Sequence, residues 1–593
     1  MEVTRTFDLL ERSLANHPKE DALVGKKNKE WIKYSTKEYV DNATYMSYGL
    51  LALGVKKGER VAIVSSGRPE WNFADMGMSQ AGIVHVPIYP TISFEDYEYI
   101  LQHAEPKVVF INDKNLYEKL KPIIEKTKTV KEIYTFNDVE GVKSWIEVLE
   151  LGKENASKFE DELKNIKQNI SPQDLLTIIY TSGTTGFPKG VMLNHRNIIS
   201  NVIATAPVHP YGPESKVLSF LPISHIYERM LNYHFQYKGM GIYYAESMGT
   251  IVENLKEVKP DLFSTVPRLL ERVYDTIIGK GKDLPYLKKQ IFFWAVNLGL
   301  KFEVPKGNGW WYMKQLPLAD KLIFSKWREA LGGNAKIIVS GGAALQPRLA
   351  RVFTAAKITI LEGYGLTETS PVIAVNNYTT QEIKVGTVGP VIEGVEVKIA
   401  DDGEILCKGP NIMLGYYKQP ELTKEVIDEE GWFHTGDIGV LVENKYLKIT
   451  DRKKEIFKLS SGKYVAPQVI ENKFKESFFI EQIMVVGENE KFSSALIVPN
   501  FEFLHNWCTL HEVKFRDNEE LIQLPEVIAR YQKEVSEINR QLAFHEQIKR
   551  FRLVCEEWST LTGELSAKLS LKRKVIADQY AEIIREIFSK DPE

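Results

Sequence analysis

Short apolar runs separated by helix-length stretches set the strongest limit on how this chain can fold. RVAIVSS (60–66), GIVHVPIY (82–89) and PKVVFIN (106–112) are nearly continuous in apolar residues. A strand covered on both faces reads this way, whereas a strand with one wet face alternates. Between the first two runs lies PEWNFADMGMSQA, a helical pattern. The alternation predicts parallel sheet built from βαβ units, and an α/β class. Three further runs, LLTIIY (175–180), AKIIVSGG (335–342) and KITILEGYG (357–365), end in turns of small residues. In such sheets ligands bind beyond the carboxyl ends of strands. That singles out the residues after Tyr180, Val339 and Leu361.

A chain of 593 residues exceeds one core, and about three to four domain-sized units are expected. From about Val388 the texture changes. VEVKI, GEILCKG and YLKIT are short alternating strands of a small β-subdomain. DRKKEIFKLSSGK (451–463) is a basic break, and a domain boundary is expected near Asp451. QIMVVG and SSALIVP follow, then charged helical stretches to the C-terminus. The net charge of −3 makes no case for a nucleic-acid binder. Cys407, Cys508 and Cys555 form neither a CxxC pair nor a metal spacing with histidine, which suits a reducing compartment. The N-terminus lacks the pattern of a signal peptide, and no window of 18 or more apolar residues occurs. IFFWAVNLGL (291–300) is either a core helix or, with Trp310, Trp311 and Tyr312 after it, a contact for a membrane surface or apolar ligand. GNGWWYMKQ (307–315) likewise reads as the border of an acyl tunnel or as an exposed loop pinned by aromatic packing.

YTSGTTGFPKG (180–190) has the residues a polyphosphate needs. Glycine lets backbone N–H groups approach, Ser and Thr hydroxyls add donors, and Lys189 adds charge. Pro188 breaks the spacing of a Walker A loop. On its own residues the segment is equally a flexible surface turn. LEGYGLTETSP (361–371) offers a ring, Tyr364, a hydroxyl, Thr367, and a carboxylate, Glu368. Glu368 suits Mg²⁺ beside phosphate, or a helix N-terminus. In GWFHTGDIG (431–439), Asp437 is expected in a tight turn, to hold ribose hydroxyls or to close an Asx-turn.

Together these segments resemble the adenylate-forming, AMP-binding superfamily of acyl-CoA synthetases, luciferases and adenylation domains. YTSGTTGFPKG, LEGYGLTET, GWFHTGD and DRKKEIFK with SGK occur in that family's order over residues 180–463. LPISHIYER (221–229), TVPRLLERVYD (265–275), LADKLIFSKWREALGG (318–333) and SSGKYVAPQVIE (460–471) resemble its long-chain fatty acyl-CoA synthetase branch. The resemblance implies a large N-terminal domain, residues 1–450, of two helix-flanked sheets plus a small β-barrel. A mobile α+β domain, 451–593, would follow, hinged near Lys454. It implies a two-step reaction in which a fatty acid and ATP give acyl-AMP and pyrophosphate, and coenzyme A then takes the acyl group. Mg²⁺ is implied as activator. Expected partners are these small molecules, with a cytoplasmic location and peripheral contact at the inner face of a membrane. A homodimer is compatible with the sequence and not dictated by it.

Carried over position by position, Thr181, Ser182, Gly183, Thr184, Thr185, Gly186 and Lys189 match the pyrophosphate loop. Thr184 and Glu368 match the metal positions. Gly341, Gly342, Glu362, Gly363, Tyr364 and Gly365 match the adenine pocket, and Thr367 an α-phosphate contact. Asp437 and Arg452 match the ribose contacts, Lys458 a nucleotide-facing lysine, and His225 a residue between nucleotide and acyl chain. One position departs. The family's C-terminal lysine falls on Ser570 in LSAKLSLKRK (565–574), and Lys568 is expected to substitute, with Lys572 as the rival. Two other functions stay open: ligation to a carrier protein or release of acyl-AMP, and a nucleotide-binding pseudo-enzyme.

Overall fold

The computed structural model describes residues 2–181, 187–303, 308–453, 455–559, 562–565 and 571–589. The apolar runs form two large sheets. One has seven strands in the order Gly415–Tyr416, Lys189–Asn194, Leu175–Thr181, Val84–Ile88, Arg60–Val64, Val108–Ile111, Glu132–Thr135. The other has eight, in the order Val372–Val375, Thr359–Gly365, Ile337–Ser340, Leu262–Thr265, Lys216–Ser219, Gly241–Tyr244, Leu23–Lys27, Glu30–Tyr34. The strands read from RVAIVSS, GIVHVPIY and PKVVFIN pair in parallel, as their two-sided burial requires. A third sheet, a curled half-barrel, orders Glu396–Ile399, Glu404–Lys408, Phe433–Val442 and Tyr446–Arg452. It stands where a small β-barrel was expected.

A core of apolar side chains fills the space between the two large sheets. Inside it lies a polar knot. Arg229, on the helix Ile226–Tyr237, is fully buried and donates to Asp75 Oδ1 at 2.6 Å, Thr177 Oγ1 at 2.7 Å and Tyr233 Oη at 3.0 Å. His85 meets the same Asp75 oxygen at 2.7 Å. Asp75 stands on the helix Pro69–Gln80, and His85 and Thr177 on neighbouring strands of the seven-stranded sheet. Burial by itself would raise the Asp75 carboxyl, but Arg229, His85 and Tyr233 together hold it below its ordinary value. Burial and Arg229 push His85 down to about 4, so it is neutral. The ion pair thus ties the helix Pro69–Gln80 to the helix that His225 caps, and the hydrogen bonds of His85 and Thr177 bind the seven-stranded sheet to the same knot.

The chain forms two compact units. The first holds residues 1–398, 406–434 and 443–447, and the second 399–405, 435–442 and 448–593. In the second, Ile480–Val486 pairs antiparallel with Ser493–Pro499, which pairs in parallel with Ile548–Leu553. Helices Pro467–Phe474, Phe501–Leu510 and Pro525–Asn539 supply an α+β core. Strand Ile548–Leu553 corrects the expectation of helix in this region. IKRFRL carries three basic residues among three apolar ones, and only Ile548 and Phe551 are buried. Among the described residues no helix is long and apolar enough to cross a membrane.

Candidate functional site

The loop expected to hold phosphate connects an antiparallel hairpin. Thr181 pairs directly with Lys189. Ser182, Gly183, Thr184, Thr185 and Gly186 lie outside the described residues, so the expectations resting on them stand apart from this geometry. Lys189 begins the returning strand, and its Nζ sits 5.1 Å from the centroid of the Tyr416 ring. The Tyr416 hydroxyl donates to Glu368 Oε1 at 2.9 Å. Burial and then Glu368 push the Tyr416 phenol up, so it stays protonated and remains a donor. Lysine, phenol and carboxylate are therefore in line within the first unit. Tyr416 was not among the residues singled out from sequence.

The fold fixes that line through amides. Two asparagines four residues apart, on one face of the helix His195–Thr205, reach across to the loops carrying Glu368 and Tyr416. Asn197 Nδ2 donates to the carbonyls of Pro410 and Ile412, both at 2.8 Å. Asn201 Nδ2 donates to Val372 O at 2.8 Å and its Oδ1 accepts the Val372 N–H at 3.1 Å. Asn411 then donates to Thr369 O, and the Met413 N–H to Glu368 O at 2.9 Å. Short strand Gly415–Tyr416 pairs with Val191 and Met192, which brings the phenol beside the lysine's strand.

Beside it, strands Ile337–Ser340 and Thr359–Gly365 run parallel, with Ser340 opposite Glu362. The hydroxyls of Ser340 and Thr367 are buried and find no hydrogen-bond partner among the described residues. A buried hydroxyl costs free energy until something pairs with it, so both are suited to a ligand. Gly341 lies against the Tyr227 ring; a Cβ there would stand 3.1 Å from Cζ, while the Tyr227 hydroxyl is held by Val339 O at 3.1 Å. Gly342 has φ +83°. Gly365 follows a register shift after Tyr364, and a Cβ on it would stand 1.7 Å from Pro371 O. Gly363 and Tyr364 pair with Val375 and Ala374 in the same strand pair.

Glu362 is buried, and burial pushes its carboxyl up to about 8 against the pull of a Gly386 N–H. It is neutral at pH 7 and offers both a donor and an acceptor. The unfolded chain ionises this group near 4.5. Its contribution to stability is thus fully present below about pH 4.5 and is lost as pH rises through about 8. Glu362→Gln removes that loss. The variant's melting temperature should gain on the wild type steadily across this window, and a constant difference at every pH would show Glu362 ionised in the fold.

His225 caps the helix Ile226–Tyr237. Its Nδ1 accepts the Tyr227 N–H at 3.1 Å, which places the ring proton on Nε2. Its ring lies 6.3 Å from that of Tyr89.

The second unit holds the residues matched to ribose. Asp437 corrects the expectation of a tight turn: it lies inside strand Phe433–Val442, where Phe433, Thr435, Asp437 and Gly439 alternate inward. Two glycines hide this alternation in the sequence. Gly436, at φ +72°, donates its N–H to Glu404 Oε1 at 2.9 Å, and Lys453 Nζ bridges Glu404 and Asp402. Arg452 Nε stands 3.4 Å from Asp437 Oδ1, so these two residues do meet. Lys458 is exposed, 5.5 Å from the Tyr464 ring centroid. Lys454 and Lys568 lie outside the described residues, while Lys572 is the N-cap of the helix Arg573–Gln579.

Among the described residues no group of three or more His, Cys, Asp or Glu side chains could cage a metal ion. Glu368 alone, with one oxygen on Tyr416, fits Mg²⁺ that takes its remaining ligands from phosphate and water.

The family model described as AMP-binding enzyme matches residues 10–417, and that of the AMP-binding enzyme C-terminal domain matches 454–592. Long-chain-fatty-acid–CoA ligase FadD15 of Mycobacterium bovis is 32% identical over 578 residues, covering 95% of this chain and 93% of its own. Peroxisomal long chain acyl-CoA synthetase 6 of Arabidopsis thaliana is 33% identical over 609 residues, covering 96% of this chain and 84% of its own. The adenylation domain of a carboxylate reductase from Mycobacterium chelonae superposes with a TM-score of 0.74 at 20% identity, over 99% of this chain and 91% of that one, a likeness of fold.

Proposed function

The chain belongs to the AMP-binding enzyme family, and on that premise we propose that it joins a long-chain fatty acid to coenzyme A at the expense of ATP. It is an AMP-forming acid–thiol ligase. In the first step a carboxylate oxygen attacks the α-phosphorus, the bond to the bridging oxygen breaks, and pyrophosphate leaves. In the second the CoA sulfur attacks the acyl carbon, AMP leaves with the bonding pair, and the thiol proton goes to solvent. The similarity to a long-chain-fatty-acid–CoA ligase and a long chain acyl-CoA synthetase supports the long chain and the thiol.

The observation that carries the reading is the line Lys189–Tyr416–Glu368. Both substrates of the first step are anions, and an ammonium beside a metal-competent carboxylate neutralises their approach. Glu368, with Thr184, would hold Mg²⁺, which supplies positive charge to the phosphates. Lys189 and residues 181–186 would hold the departing pyrophosphate, Thr367 the α-phosphate, and Gly341, Gly342 and residues 362–365 the base, with neutral Glu362 pairing on its edge. Asp437 and Arg452 would hold ribose, Lys458 would face the nucleotide, and His225 would stand beside the acyl chain. We divide the chain at Asp451, with Lys454 as pivot.

Thioester formation across acids of graded length, with ATP, Mg²⁺ and CoA, tests the proposal. Acyl-AMP that accumulates with CoA present would favour carrier-protein ligation or adenylate release instead. Lys568→Ala should lower ATP–pyrophosphate exchange by about tenfold or more, the worth of one charge-assisted contact, and Lys572→Ala should leave it near wild type. The reverse outcome would assign the role to Lys572, and no loss in either would end the substitution idea.

A further inference from the structure

Strands Leu262–Thr265 and Ile337–Ser340 are parallel neighbours, and one helix would suffice to connect them. Among the described residues this chain spends four α-helices: Pro267–Lys282, Tyr286–Leu300, Trp310–Ala319 and Ser325–Ala330. The second buries Phe292, Ala295, Val296, Leu298 and Gly299, with Gly299 against Val352 and Phe324. The third lies antiparallel along it. Tyr312 donates to Leu298 O at 2.5 Å, and Trp294 Nε1 to Gln315 Oε1 at 3.4 Å. Continued one turn, that register sets Ile291 opposite Leu318.

What the pair leaves in water is unusual. Tyr286 is 73% exposed and Leu287 75% at one end of the pair, and Trp310 and Trp311 are each 68% exposed at the other, with Ile291 and Leu318 exposed between the two ends. Scattered apolar residues on a surface need no cause, but several large ones exposed along the length of one pair of packed helices mark an interaction face. Charge selects the occupant. Residues 280–303 and 308–326 hold eight lysines and three acids, an excess of five positive charges in a chain of net charge −3. One of the acids, Asp320, is bridged by Arg328 and Lys357. Lys314 Nζ stands 3.9 Å from the Trp310 ring centroid, so cation and indole share one face. A second copy of the same face would repel it. Tryptophan and tyrosine favour the headgroup level of a bilayer, and lysines reach from it to anionic lipid.

We propose that the helices Tyr286–Leu300 and Trp310–Ala319 form a docking face for an anionic lipid bilayer, lying on the surface without spanning it. Trp310 and Trp311 enter the headgroup layer, and Lys288, Lys314 and Lys321 meet lipid phosphates. The contact needs neither nucleotide nor acid, so it stands apart from the ligase reading.

Flotation of the whole protein with phosphatidylcholine vesicles, with and without phosphatidylglycerol, tests this. Binding should be at least about tenfold tighter to the anionic vesicles and should weaken with salt. Trp310→Ser with Trp311→Ser should weaken it by about tenfold, and Lys314→Glu with Lys321→Glu by more, at about fivefold for each positive charge removed. Lys114→Glu, an exposed lysine elsewhere on the first unit, should bind as wild type. Thermal melts equal to wild type confirm that the variants fold. Equal binding to both vesicles, no binding, binding unchanged in either double variant, or a dimer in solution that the tryptophan variant dissociates would each overturn the proposal.

Discussion

Glu368→Gln is expected to slow ATP–pyrophosphate exchange by about 10²–10³-fold, the usual loss when one preorganised electrostatic group leaves a transition state. The substitution keeps the shape and keeps an acceptor for the Tyr416 hydroxyl, so the turn Thr367–Thr369 and its carbonyl contact to Met413 should stay in place. Only the charge goes. A neutral amide is a poor ligand for Mg²⁺ held mostly by phosphate and water. The variant should therefore need a higher Mg²⁺ concentration for half-maximal exchange while its melting temperature stays near wild type. Tyr416→Phe makes the complementary change, keeping the charge and removing the donor. Its loss should be smaller, about tenfold, the worth of one hydrogen bond to a charged group. Wild-type exchange in Glu368→Gln at every Mg²⁺ concentration would remove Glu368 from the metal site.

The contrast between these two residues shows what was legible in the sequence. Glu368 follows a buried strand within a short motif, so its neighbours along the chain announce it. Tyr416 reaches it through a two-residue strand whose partners, Val191 and Met192, lie more than two hundred positions away. No local pattern carries that pairing. Asn197 and Asn201 are hidden for the same reason, since on a helix they read as ordinary polar residues and their partners lie far along the chain. The large sheets were readable because two-sided burial writes continuous apolar runs. Asp437 was misplaced because two glycines interrupt an alternation that only the sheet completes. Strand Ile548–Leu553 was misread because its basic residues outweigh its few buried ones.

The largest stability effect is expected inside the first unit, at Asp75 and Arg229. Arg229→Met removes a buried cation and leaves the Asp75 carboxylate with only neutral His85 and Tyr233 for partners. Breaking a buried pair from one side costs about 3–5 kcal/mol, because the remaining charge is dry and uncompensated. Asp75→Asn should cost a similar amount by stranding the guanidinium, whose remaining contacts, Thr177 and Tyr233, are neutral hydroxyls. The double variant should recover much of the loss, since it strands no charge. Urea unfolding followed by tryptophan fluorescence suits the measurement, because Trp71 lies 5.5 Å from the guanidinium. The two single variants should move the first transition to lower urea, and the double variant should move it back. Additive losses in the double would mean that packing of the arginine stem, not pairing, holds the two helices together. The pairing has a functional consequence as well. The helix that Arg229 pins starts at His225, and its Tyr227 ring sits under Gly341. Loosening it displaces the Tyr227 ring from Val339 and Gly341, beside the buried Ser340 hydroxyl, so the single variants should also raise the KM for ATP, and the double variant should restore it.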